Sequence, residues 1–313
     1  MKKITLSIIP ILLIIVGYVG YTNLTPQKNT QVEGQQMVHS TTPEVNNEAM
    51  NMNSSTEGST LAGTRIVLDN KDSLKPGKVN FSFKLFGIDK HEFTDADLKV
   101  AHKKKMHFIF VRDDMTGYQH IHPQYTNGKW AVTTDINDGG NYNLYVDIAP
   151  SEESPVVLRV PLQIGGTTVT KNFPTPNEKM NVTSGVYTGT LTTNVSLKTN
   201  QEIKLSIAIT KDGKAVTEIN QYLGAFGHLV ILNHSNPNDF IHGHPLTETK
   251  PTNGVVEFMA KFPVKGTYTL YGQFNVDGSI VTLPITVGIK EDGTVKATVT
   301  KETAIIDFLF IEV

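Results

Sequence analysis

Met106-His107-Phe108-Ile109-Phe110-Val111 opens a segment that closes with Tyr118-Gln119-His120-Ile121-His122-Pro123. The scheme returns as Gly227-His228-Leu229-Val230-Ile231-Leu232, followed by Phe240-Ile241-His242-Gly243-His244-Pro245. In both copies an apolar run starts on one histidine, crosses a polar turn holding Asp114 or Asn236-Pro237-Asn238, and comes back to His-x-His-Pro. Six of the ten histidines fall in this scheme.

The arithmetic of a hairpin says what the scheme builds. Folding the first copy about its turn sets His107 opposite His122, because directly opposed residues share a face and side chains alternate with period two. His120, two residues from His122, shares that face. Opposed Cβ atoms sit ~5 Å apart and diagonal ones ~7 to 8 Å, so three imidazoles converge. Pairing His228 with His244 gathers His228, His242 and His244 in the same way, through a turn one residue longer. A bulge in either turn would shift the parity and break the inference. The second copy keeps the apolar frame around its histidines more completely, so its trio is expected to be the better site.

Around these hairpins the chain reads as short strands with no sustained helical period. Arg65 to Leu68, Val79 to Leu85, Trp130 to Thr133, Tyr142 to Ile148 and Val156 to Ile164 alternate or are β-branched. Turns such as Lys75-Pro76-Gly77 and Asp138-Gly139-Gly140 separate them. The second half repeats the first: Gly140-Asn141-Tyr142-Asn143-Leu144-Tyr145 answers Gly266-Thr267-Tyr268-Thr269-Leu270-Tyr271, and Val160-Pro161-Leu162-Gln163 answers Leu283-Pro284-Ile285-Thr286. A period of ~120 residues is long enough for each copy to hold its own core. The expectation is all-β: two tandem antiparallel β-sandwiches, at 64–166 and 185–290, joined by a linker at 167–184 and able to fold separately. An extension at 291–313 ends in Ala304-Ile305-Ile306-Asp307-Phe308-Leu309-Phe310-Ile311 and is expected to add a strand.

At the other end, Lys2-Lys3 precedes an apolar stretch from Ile4 to about Tyr21, long enough to span a bilayer and lacking a good small-x-small cleavage pattern. Residues 1–22 therefore read as a signal anchor, or else a signal peptide. Either way the rest is exported, on the cell membrane or secreted. Residues 23–63 are polar and read as a disordered tether, carrying Met37, His39, Met50 and Met52.

The 313 residues carry a net charge of -2 and no cysteine. The near balance gives no nucleic-acid footprint. The missing thiols exclude disulfides, thiolate zinc sites, cysteine nucleophiles and blue-copper electron transfer. Nitrogen, oxygen and thioether ligands are left for any metal.

Gly-His-Leu-Val-Ile-Leu leading to Asp-Phe-Ile-His-Gly-His-Pro, then Gly-Thr-Tyr-Thr-Leu-Tyr-Gly-Gln-Phe, resembles domains of exported bacterial proteins associated with heavy-metal handling, the YtkA-like and CopC-like copper-associated β-sandwiches. The likeness runs from about Glu202 to Val287. It is looser in the first copy, where Met106 replaces the glycine before the histidine and Tyr118-Gln119 replaces Phe240-Ile241. The resemblance implies immunoglobulin-like sandwiches and a link to copper, with His107, His120, His122, His228, His242 and His244 as ligands.

Two functions stand side by side. One is a metal-binding module outside the cytoplasm, holding copper or, less readily, zinc. The other is a non-catalytic interaction protein on a membrane stalk, with structural histidines and an unidentified protein partner. No enzyme is expected, since His-Glu-x-x-His, Gly-x-Ser-x-Gly and a phosphate-binding glycine loop are all missing. His91, His102 and His234 read as loop residues.

Overall fold

Two β-sandwiches stand in tandem, each built from antiparallel strands, in a computed structural model that describes residues 57–59, 63–101, 103–168 and 172–292. The expected anchor, the tether up to residue 56 with its methionines and His39, His102 and the expected C-terminal strand lie outside the described residues, whereas Glu57–Ser59, read as the end of a disordered tether, is a strand whose backbone pairs with Arg65–Val67. No helix among the described residues is long and apolar enough to cross a membrane.

The first sandwich holds β1 (Glu57–Ser59), β2 (Arg65–Leu68), β3 (Gly77–Phe86), β4 (Met106–Arg112), β5 (Gln119–Ile121), β6 (Gln124–Thr126), β7 (Lys129–Ile136), β8 (Gly140–Ile148) and β9 (Val156–Ile164). One sheet runs β1-β2-β3-β7-β6 and the facing sheet β5-β4-β8-β9. The second holds β10 (Asn181–Ser184), β11 (Tyr187–Thr193), β12 (Glu202–Lys211), β13 (Lys214–Ala215), β14 (Ile219–Asn220), β15 (His228–Asn233), β16 (Phe240–Pro245), β17 (Val255–Lys261), β18 (Gly266–Val276) and β19 (Ser279–Ile289). Its strands follow β10-β11-β12-β17-β16-β15-β18-β14, with β19 also on β18. β10 and β11 turn through Gly185, whose φ of 60° is left-handed. The end of the expected linker is therefore the first strand of the second sandwich.

The His-x-His-Pro segment turns a corner in both copies. β16 pairs with β15 up to Gly243, then passes to β17 through His244↔Met259 and Pro245↔Phe258. In the first sandwich the same path is split, with β5 on β4 and β6 on β7, either side of His122-Pro123. The change of partner falls between Gly243 and His244 in the second copy and across His122-Pro123 in the first.

Strands at the outer faces alternate as half-buried strands do: Phe81, Phe83 and Leu85 of β3, and Ile203, Leu205, Ile207 and Ile209 of β12, point into their own cores. β4 and β15 do not alternate. Every residue from Met106 to Arg112 and from His228 to Asn233 is buried. Phe108 and Phe110 fill the first core, and Leu229 and Ile231 the second. The opposite faces of these strands meet each other: Ile109, Val111, Met115 and Tyr145 form a third apolar cluster with Val230, Leu232 and Tyr271. Both sandwiches belong to one compact unit, with the histidine-bearing sheets packed face to face.

Candidate metal centre

The hairpin register is the one the spacing implies. Phe108↔Ile121 and Ile109↔His120 pair across β4 and β5, so His107, His120 and His122 share a face. In the second copy Leu229↔Gly243 and Val230↔His242 pair across β15 and β16. Both faces turn toward the other sandwich, so the described histidines of the two copies share one junction.

His107, His120 and His122 each offer a ring nitrogen, and these atoms lie within 4.8 Å of one another. The ring centroids are 5.0 to 5.1 Å apart. His107 Nε2 lies 3.2 Å from the carbonyl oxygen of Ala101, which only accepts, so Nε2 carries the hydrogen and Nδ1 keeps its lone pair. That Nδ1 is 2.9 Å from His120 Nε2. His120 Nδ1 donates to Gln273 Oε1 at 2.7 Å, while Gln273 Nε2 reaches Thr282 Oγ1 at 3.3 Å. Two lone pairs then face each other, a repulsive arrangement that a cation between them relieves. A tetrahedral ion with bonds of ~2.0 to 2.1 Å holds its ligand nitrogens about 3.3 Å apart, so the ring pair needs only a slight opening. Turning the Gln273 amide over would instead give His120 Nδ1 a donor and free a hydrogen for His107, satisfying the pair without an ion. The third nitrogen, His122 Nε2, is buried without a hydrogen-bond partner.

The second sandwich repeats these devices. His228 Nε2 lies 2.9 Å from the carbonyl oxygen of Tyr222, six residues before it, as Ala101 stands six before His107. Short turns, bridged Ala101↔Lys104 and Tyr222↔Ala225, supply those carbonyls. Asp147 pairs with His107 in the ladder as Gln273 pairs with His228. Each reaches across: Gln273 takes the hydrogen of His120, and Asp147 Oδ2 lies 3.2 Å from His242 Nδ1. The rings of His228 and His242 stand beside the first trio, at 6.3 and 5.7 Å from His107 and outside the group whose nitrogens lie within 4.8 Å of one another.

Tyrosines repeat the exchange deeper in the junction. Tyr145 donates to Pro237 O and Tyr271 to Met115 O, each at 2.7 Å, so each sandwich binds the other's hairpin turn. Tyr118 stacks on Tyr271 with centroids 3.9 Å apart, and Phe240 lies 5.3 Å from Tyr145.

Burial keeps the trio neutral. Desolvation lowers the His107 pKa and pushes His120 well below the usual histidine range, reinforced at His120 by the rings of His107 and His122. His122 is lowered to about 3, mainly by desolvation and then by His107 and Lys104. Neutral imidazoles are ready ligands, since no proton has to leave before a metal arrives.

A family model described as Domain of unknown function (DUF8832) matches residues 59–161 and again 181–291. The chain belongs to this family. The two DUF8832 matches fall one on each sandwich, on the same repeats that the sequence shows. No curated protein matches the sequence. Among solved structures, the chain is similar to trypsin-activated alpha-2-macroglobulin from Escherichia coli at 11% identity, covering 73% of this chain and 16% of that one with a TM-score of 0.23. It is also similar to the fibronectin(III)-like modules of Clostridium thermocellum CbhA at 12% identity, covering 72% and 94% with a TM-score of 0.18. The chain thus spans about a sixth of the macroglobulin's length.

Among the described residues of this DUF8832 tandem, the trio that converges is the first copy's; the second copy's trio, which the spacing favoured, includes a side chain outside them. His228 and His242 stand 6.3 Å apart by ring centroid and face the first trio. The backbone of His244 pairs with Met259, and its side chain lies outside the described residues. His91 is an exposed partner of Asp97, and His234 bonds Thr269 beside Phe173. Sequence reasoning missed Asp147, Gln273 and the Ala101 and Tyr222 carbonyls, which orient the rings. The signal available was the position of Asp147 and Gln273 two residues after the repeated Tyr145 and Tyr271.

Proposed function

We propose that this protein binds a transition-metal ion, copper or zinc, in the histidine centre between its two sandwiches, without catalysing a reaction. The observation that supports it is the convergence of His107, His120 and His122, with His122 Nε2 buried and unpartnered. An all-imidazole donor set suits Cu(II) and Zn(II), and copper is the stronger binder of the two at nitrogen sites. Copper is further favoured by the methionines of the tether and by the resemblance to copper-associated domains. The apolar stretch from Ile4 to Tyr21 supports a location outside the cytoplasm.

The test is metal titration of the purified chain, followed by calorimetry and by metal analysis after dialysis. One ion per chain is expected for the native protein and none for H107Q/H120Q/H122Q. Absence of binding by the native chain would sink the proposal. The interaction-module reading draws on one observation, that turning the Gln273 amide satisfies His107 and His120 without an ion. It would gain if the native chain binds no metal and the triple variant loses its fold.

A further inference from the structure

The three donors of the first sandwich leave a tetrahedral ion one ligand short, and the junction brings imidazoles from the other sandwich to its edge. Two rings compete for that place. His228, whose Nε2 meets the Tyr222 carbonyl as that of His107 meets Ala101, stands 6.3 and 6.2 Å from His107 and His120. His242 is closer, at 5.7 Å from His107. Its Nδ1 lies 3.2 Å from Asp147 Oδ2, a carboxylate of the first sandwich. A carboxylate behind an imidazole fixes the ring and raises its basicity, the usual support of a metal-bound histidine. Asp147 itself sits opposite His107 on the neighbouring strand.

We infer that His242, oriented by Asp147, is the fourth ligand, so that one ion is held jointly by both sandwiches and clasps them together. This rests on the metal-binding reading of the first trio. It adds that the site is incomplete in either repeat alone. Three donors come from the first repeat, the fourth from the second, and the residues holding two of the rings, Gln273 behind His120 and Asp147 behind His242, each belong to the opposite repeat from the ring they hold. Affinity for the ion and the docking of the sandwiches are then linked reciprocally: whatever opens the junction weakens binding, and binding resists opening.

The experiment uses the full chain in detergent, with zinc or Cu(II) alone as the probe. X-ray absorption should count four nitrogen neighbours in the native protein and three in H242Q. D147N, nearly isosteric and expected to fold, should keep four but bind 10- to 100-fold more weakly, the usual cost of losing such a support. H234Q, outside the centre, should match the native chain. In a second arm a protease site is placed at 172–177, and separation of the nicked halves is followed on dilution. Metal should slow separation in the native protein and not in H242Q. If H242Q keeps four nitrogens and native affinity while H122Q loses both, the ion belongs to the first repeat alone and the clasp is refuted. If metal leaves the separation rate of the native halves unchanged, the clasp is likewise refuted. A native chain that binds no ion overturns the metal-binding reading itself.

Discussion

Tyr271 donates its hydroxyl hydrogen to the carbonyl oxygen of Met115 at 2.7 Å, joining residues of different sandwiches in a buried bond. Tyr271→Phe removes the donor and strands the carbonyl, which should cost about 1 to 3 kcal/mol. Tyr145→Phe, at the mirrored bond to Pro237, should cost a similar amount. Thermal melts of both single variants and the double one check this. A midpoint unchanged in all three would mean that the two bonds do not hold the junction.

Acid should weaken the metal-free protein before its carboxylates titrate. The folded-state pKa values of His107, His120 and His122 all lie below the ordinary 6.5, that of His122 at about 3. Below pH 6.5 the unfolded chain takes up protons that the folded chain refuses, so stability is full above 6.5 and lost as pH falls toward the folded values. Melting temperatures in chelator between pH 7 and 4.5 should fall, and fall less steeply in H120Q/H122Q. Equal slopes would count against the neutral trio.

Gln273 sets which way the hydrogens run through His120. Glutamate there can only accept, locking His120 Nε2 and His107 Nδ1 as lone pairs and adding a negative charge beside the cation. Gln273→Glu should bind metal more tightly than the native protein by calorimetry, and Gln273→Leu more weakly. The reverse order would refute this role.

Gly243 separates His242 from His244 where the first copy has Ile121. A Cβ at 243 would come within 2.7 Å of Leu229 Cδ2 and 3.0 Å of its Cβ. Gly243→Ala should therefore destabilise by about 1 to 3 kcal/mol, the range for overpacking a filled core. Chemical denaturation measures it, and a neutral result would mean that Leu229 repacks freely.

The second sandwich alone was expected from the repeat to fold by itself. Cut free, it would bare Val230, Leu232, Tyr271 and Phe240, which the first sandwich covers. Residues 181–292 should self-associate on gel filtration at concentrations where the full chain stays dispersed. A monomer as stable as the whole protein would show that the junction adds nothing.

The sandwich class, the repeat and the hairpin register were legible because each rests on local alternation and turn chemistry. That both hairpins face one junction was not drawn from the sequence, though a trace of it is there. Phe108 to Val111 and Leu229 to Leu232 run apolar without a polar residue, and such strands are buried on both faces. Periodicity cannot name what covers the second face. Nor could it reveal the pairing of His120 with Gln273, 153 residues away, since that contact depends on how two finished sandwiches dock.

Asp147 and Gln273 hold matching positions, each opposite the first histidine of its own copy, yet one is a carboxylate and the other an amide. Two identical chains meeting through these positions would have to carry the same residue at both places, and so two charges or none. A tandem chain is free of that constraint. The covalent join allows a nearly symmetric pocket with a single formal negative charge at these paired positions, giving it a polarity that no homodimer of either half could have.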